Sequence, residues 1–126
     1  MHHASCLCGA VRIDVDFELK DGNACHCSMC RKVSGHHWSS VEVPKSSVTV
    51  HGQDSLSWFQ SSEKVRRGFC RTCGSALFFE AIFQDWTAIS YGAFDASTGT
   101  KIASHIFTDD KGDYYDIKDG LPQNTQ

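Results

Sequence analysis

The chain has 126 residues, 40% of them hydrophobic, and a formal charge of −3 from 12 Lys and Arg against 15 Asp and Glu. That is enough for one domain with a modest core, and the acidic balance disfavours a phosphate-backbone binder, so nucleic acid is not an expected partner. No apolar run approaches the ~20 residues that cross a membrane, and no basic stretch leads into an apolar one at the N-terminus, so neither a membrane partner nor a secretory leader is expected.

Val11 to Glu18 alternates apolar and polar residues, the mark of a half-buried strand, and Asp21-Gly22-Asn23 reads as its turn. Ser28 to Ser34 reads as one short helix, capped by Ser28 and ended by Gly35, with Cys27 at its entry and Cys30 in its first turn. Strand patterns follow at His36 to Val43, stopped by Pro44, and at Val48 to His51 before Gly52. Leu56 to Gln60 and Val65 to Cys70 read as a strand pair around Ser61-Ser62-Glu63. Ala76 to Glu80, Thr87 to Tyr91 and Lys101 to Phe107 complete the set. Frequent short strands separated by polar turns predict a mainly β domain of antiparallel strands with one short helix after the central cysteines. Residues 1–126 read as a single domain, with 122–126 a loose C-terminal tail.

Seven cysteines fall in three clusters: Cys6-Leu7-Cys8-Gly9, Cys25-His26-Cys27-Ser28-Met29-Cys30 and Cys70-Arg71-Thr72-Cys73-Gly74. Thiols used only for packing have no reason to sit two or three residues apart, whereas a soft metal ion takes about four ligands and short C-x₂₋₄-C arms supply two at once. An odd count cannot pair completely as disulfides, and the expected location is the cytoplasm, where thiols stay reduced. Two pairs make one closed four-thiolate site, which is structural. The triplet makes a three-thiolate site with one position open, which can do chemistry.

In Cys6-Leu7-Cys8 an extended backbone would place both sulfurs on one face, and in Cys70 to Cys73 a turn would bring them together. Such an ion would clip the N-terminal strand to the middle of the chain. Cys25, Cys27 and Cys30 could face one point across a loop-to-helix turn, where the helix N-terminus favours thiolate over thiol. His26 should point away from that point and reads as a surface or supporting histidine. A second structural ion completed by a distant histidine is the competing interpretation.

Arg31 and Lys32 beside the triplet could hold substrate carboxylates, or simply suit the helix C-terminus. His36 and His37 flank the same segment. The run Lys64-Val65-Arg66-Arg67 reads as a solvated strand face, and Trp38, Trp58 and Trp86 as core. His105 and Asp95 are candidate proton handlers. No phosphate loop, dinucleotide fingerprint or Ser/His/Asp arrangement is present.

Ser5-Cys6-Leu7-Cys8-Gly9-Ala10-Val11, Cys25-His26-Cys27-Ser28-Met29-Cys30-Arg31-Lys32 with Gly35, and Phe69-Cys70-Arg71-Thr72-Cys73-Gly74 together resemble the motifs of a known family. His105-Ile106-Phe107 and Gly120-Leu121-Pro122 fit its C-terminal part. That family is the glutathione-dependent formaldehyde-activating enzymes, which share their domain with centromere protein V, and the resemblance runs over residues 3–122.

The resemblance implies a β-tent zinc fold with two zinc ions. One would be structural on Cys6, Cys8, Cys70 and Cys73, the other of catalytic type on Cys25, Cys27 and Cys30. It implies carbon–sulfur lyase chemistry: formation or cleavage of S-hydroxymethylglutathione or a related thiol adduct. The implied partner is glutathione or another small thiol adduct, and a homodimer is compatible. The alternatives are a non-enzymatic glutathione- or zinc-binding module and an interaction domain.

Overall fold

A computed structural model describes residues 1–126. Ten strands and one α-helix follow in order: β1 His2–Ser5, β2 Arg12–Val15, β3 Gly22–Cys25, α1 Ser28–Ser34, β4 Trp38–Pro44, β5 Val48–His51, β6 Leu56–Gln60, β7 Val65–Cys70, β8 Ala76–Ala81, β9 Trp86–Ser90 and β10 Ile102–Ile106. They form a three-stranded sheet, β1-β2-β5, and a seven-stranded sheet, β10-β3-β4-β9-β8-β7-β6. The mainly β reading with a single short helix is correct. All pairings are antiparallel except β10 with β3, which run parallel.

Period-two alternation explains the packing. In β2, Ile13 and Val15 are buried while Arg12 and Asp14 face out. In β4, Val41 and Val43 point to one side of the large sheet and Trp38 to the other. Ile13 and Val15 meet Val41, Val43, Leu77 and Ile89 in the main core, so the small sheet covers one face of the large one. A smaller cluster of Cys25, Cys30, Trp38 and Ala88, with Phe79, Trp86 and Ile106 packed against it, lies with α1 on the opposite face. Each fully buried Leu or Ile contributes about 1.5–3 kcal/mol to this arrangement.

Several local expectations are corrected. Gly22 and Asn23 belong to β3 rather than to a turn. A Cβ on Gly22 would stand 2.0 Å from the Ser40 carbonyl oxygen, so glycine is there for close strand approach. β1, with the sequence His-His-Ala-Ser, buries only Ala4 and has no apolar alternation to announce it. The helix cap is Cys27, whose sulfur accepts from the Cys30 amide, not Ser28. Gly35 ends the helix at φ 81°, as the sequence predicts. The C-terminal tail is extended beside β10: His105 N–H donates to Pro122 O, and Asn124 N–H to His105 O, both through the backbone.

Candidate metal centres

Cys6 and Cys8 lie in the turn after β1 rather than on extended backbone, and Cys70 ends β7 with Cys73 in the following turn. Gly9 and Gly74, at φ 81° and 80°, supply the left-handed residue that each turn needs. Leu7 points away and is 88% exposed. The four sulfurs lie within 4.8 Å of one another. Cys6 Sγ is 3.6 Å from Cys8 Sγ, which is 3.7 Å from Cys70 Sγ. A tetrahedral ion with metal–sulfur bonds of ~2.3 Å spaces its sulfurs by about 3.8 Å, so this donor set fits such an ion. Backbone N–H groups of Val11 and Cys73 donate to the Cys6 and Cys70 sulfurs at 3.3 and 3.5 Å. The Ser75 hydroxyl lies 3.2 Å from Cys73 Sγ, and this hydrogen bond leads the causes that lower the Cys73 thiol to about 5.

The second group is Cys25 at the end of β3, Cys27 at the helix cap and Cys30 in the first turn of α1. Their sulfurs also lie within 4.8 Å of one another, and no His, Asp or Glu joins them. A fourth protein ligand of those types is therefore not preassembled, and the donor set is three soft sulfurs with one side left over. Hydrogen bonds from Cys25 first, then Cys30, lower the Cys27 thiol to about 2. Cys25 is raised in turn, chiefly by its bond to Cys27.

His26 points away from the triplet, as the sequence suggests, but it is not on the surface. His26 is buried, 1% exposed, and turned away from the sulfurs into a polar chain. It hydrogen-bonds Tyr115 Oη through Nδ1 and His105 Nδ1 through Nε2 at 2.9 Å. His105 Nε2 in turn meets Asp119 Oδ2 at 2.7 Å. Burial first, then the neighbouring His37, lowers His26 to about 4, so it is neutral near pH 7. His105 thus has a positioned role, whereas Asp95 sits elsewhere, accepting from Ser5 Oγ at 2.5 Å. Arg31 is half-buried with an unpartnered Nε, Lys32 is exposed, and neither forms an ion pair.

Tyr115 and Asp119 carried no sequence signal, because their partners lie 89 and 14 residues away along the chain. Arg67 was misread. It is 5% exposed, and its Nη2 donates to Cys30 Sγ at 3.5 Å. Strand alternation was the available clue, since Arg66 on the other face stacks on Trp58 and pairs with Glu80. Of the three tryptophans only Trp38 is buried, and Trp58 and Trp86 are half-buried. A cleft of about 570 Å³ is lined by Cys6 and Leu7 from the four-cysteine group and by Val33, His37 and Trp38 from the end of α1 and the start of β4, and no cysteine of the triplet lines it. The largest cleft, about 680 Å³, is lined by Lys20, Asp21, Glu42 and Trp86 and touches neither group.

No helix is long and apolar enough to cross a membrane. A profile described as "Glutathione-dependent formaldehyde-activating enzyme" matches residues 1–110. An uncharacterised lyase of Schizosaccharomyces pombe is 27% identical over 121 residues, covering 92% of this chain and 85% of that protein. A putative glutathione-dependent formaldehyde-activating enzyme of Halomonas elongata is 36% identical over 81 residues, 58% of this chain and 52% of its own length. A crystal structure of a Rhodobacter sphaeroides protein superposes with a TM-score of 0.63 at 24% identity, covering 75% of this chain and 89% of that one, which speaks to the fold alone. With the motifs, the two sulfur clusters and a profile match over most of its length, the chain belongs to the glutathione-dependent formaldehyde-activating enzyme family.

Proposed function

We propose that the protein is a zinc-dependent carbon–sulfur lyase that forms or cleaves S-hydroxymethylglutathione or a related thiol adduct. The observation that carries this reading is the unequal sharing of sulfur: four thiols grouped in one place and three in another, with no further His, Asp or Glu beside the three. Cys6, Cys8, Cys70 and Cys73 would hold a structural zinc, and Cys25, Cys27 and Cys30 a second one. When bound, the second ion would supply Lewis acidity toward a thiol sulfur or an aldehyde oxygen.

The chain's own residues do the rest. Cys27 at the helix cap accepts from the Cys30 amide at 3.3 Å, a contact that favours its thiolate form. Tyr115, His26, His105 and Asp119 hold the loop that carries Cys25 and Cys27, fixing the direction of both sulfurs. Arg31 and Lys32, on the last turn of α1, are the proposed contacts for glutathione carboxylates. In the forward direction a C–S bond forms, the thiol gives up its proton and the aldehyde oxygen gains one. Holding both reactants replaces a bimolecular encounter with a positioned one.

The test is stopped-flow measurement of formaldehyde consumption with glutathione, protein against buffer. Acceleration over the spontaneous reaction supports the enzyme. Glutathione binding by calorimetry without acceleration would instead make the protein a binding module, and no binding at millimolar glutathione would remove both.

A further inference from the structure

Arg67 is a buried cation without a carboxylate. It is 5% exposed and belongs to no ion pair, while its neighbour Arg66 takes Glu80. Its guanidinium lies over the Phe79 ring at 5.0 Å, its Nη2 reaches Cys30 Sγ at 3.5 Å, and its Nε has no partner. A guanidinium stays charged in proteins, and burying it unpaired is costly. The only anion-forming group in its hydrogen-bonding reach is the triplet.

The two cysteine groups are balanced differently. The four-cysteine group uses neutral donors, the Val11 and Cys73 amides and the Ser75 hydroxyl, and Cys8 is open to water. The triplet is more enclosed, with Cys25 and Cys30 both buried, and it has a full positive charge beside it. Arg67 also lines a cleft of about 350 Å³ whose other walls include Val33, Trp38, Phe59 and Phe78. Apolar walls lower the local dielectric and lengthen the reach of that charge.

We propose that Arg67 is the counter-charge of the three-thiolate centre, and that it selects an anionic sulfur over a neutral ligand for the centre's remaining side. Three thiolates and a divalent ion carry one net negative charge, which Arg67 cancels. Addition of a substrate thiolate restores a net negative charge beside a fixed cation, whereas a neutral ligand gains nothing from it. Arg67 is a positioning residue, and the inference rests on the reading that the triplet holds an ion with an open side.

The experiment uses cobalt-loaded protein, because sulfur-to-cobalt charge-transfer absorption reports each ligand directly and needs no turnover. Wild type, R67M and R67K are titrated with glutathione and, separately, with imidazole. R67M is expected to weaken glutathione uptake about tenfold or more while changing imidazole uptake by less than about twofold, with R67K restoring most of the loss. Circular dichroism and cobalt content check folding, and R67Q replaces R67M if the latter does not fold. Equal losses for both ligands, or none for either, overturn the role of Arg67 and leave the lyase reading standing. A wild-type centre that takes up neither ligand removes the open side itself, and the proposal with it.

Discussion

Removing the four-cysteine group should cost more stability than removing the triplet, because the two close very different loops. The comparison is Cys8→Ala/Cys73→Ala against Cys27→Ala. Each variant leaves two thiolates in its group, too few to hold an ion. Cys8 is exposed, and Cys73 and Cys27 are half-buried, so direct packing losses are small, but Cys27→Ala also gives up the cap of α1, about 1 kcal/mol. Cys8 and Cys70 are 62 residues apart along the chain. Treated as a clip in the chain-entropy relation for cross-links, closing that loop is worth about 4 kcal/mol. Cys25 and Cys30 are five residues apart, and by the same relation their loop is worth about 2 kcal/mol. The loop difference of about 2 kcal/mol, less about 1 kcal/mol for the lost cap, leaves about 1 kcal/mol, or roughly 4 °C in melting temperature for a domain of this size. Against a total stability of about 5–15 kcal/mol, loss of the long clip brings the domain near its limit. Thermal melts followed by circular dichroism, with zinc counted by elemental analysis, read both effects. Equal melting temperatures, or a lower one for Cys27→Ala, would refute the division into a clip and a local centre.

Other outcomes can be checked with single substitutions. Gly22→Ala should destabilise by about 3 kcal/mol or more, since its Cβ meets the Ser40 carbonyl at 2.0 Å and the Tyr91 ring at 2.8 Å; a urea midpoint like wild type would show that β3 and β4 part easily. His105→Phe strands the buried His26 Nε2 and should cost about 1–3 kcal/mol in urea unfolding, with an unchanged midpoint contradicting the polar chain. On the outer sheet, hydrogen bonds from His51 first and His3 second hold the Asp14 carboxyl below its usual 3.8. A lowered carboxylate stabilises the fold above its unfolded value and loses that benefit as pH falls through its folded value. The stability gap between wild type and Asp14→Asn should therefore be present above pH 3.8 and close below it; a gap that widens in acid would reverse the sign.

The two halves of the sulfur chemistry were legible to different depths. Clustering of Cys6 with Cys8, of Cys70 with Cys73, and of Cys25, Cys27 and Cys30 is a local property, because ligands supplied in pairs must be close along the chain. A strand with clear alternation, such as Arg12–Val15, was readable for a similar reason, since its pattern is also local. β1 was not, since a His-His-Ala-Ser strand is held by its partner β2 and by one buried alanine rather than by its own pattern.

By itself, the sequence determined the class of fold, the position of the one helix and which thiols travel together, all features set by neighbours within a few residues. Tertiary structure decided everything that depends on distant partners. It ran β10 parallel to β3 and gave His26 its bonds to Tyr115 and His105. It also buried Arg67 against Cys30, where the sequence suggested a solvated face. The reason is physical: composition and periodicity say which face of an element is apolar, but the counter-charge for a buried group comes from whichever element packs against it.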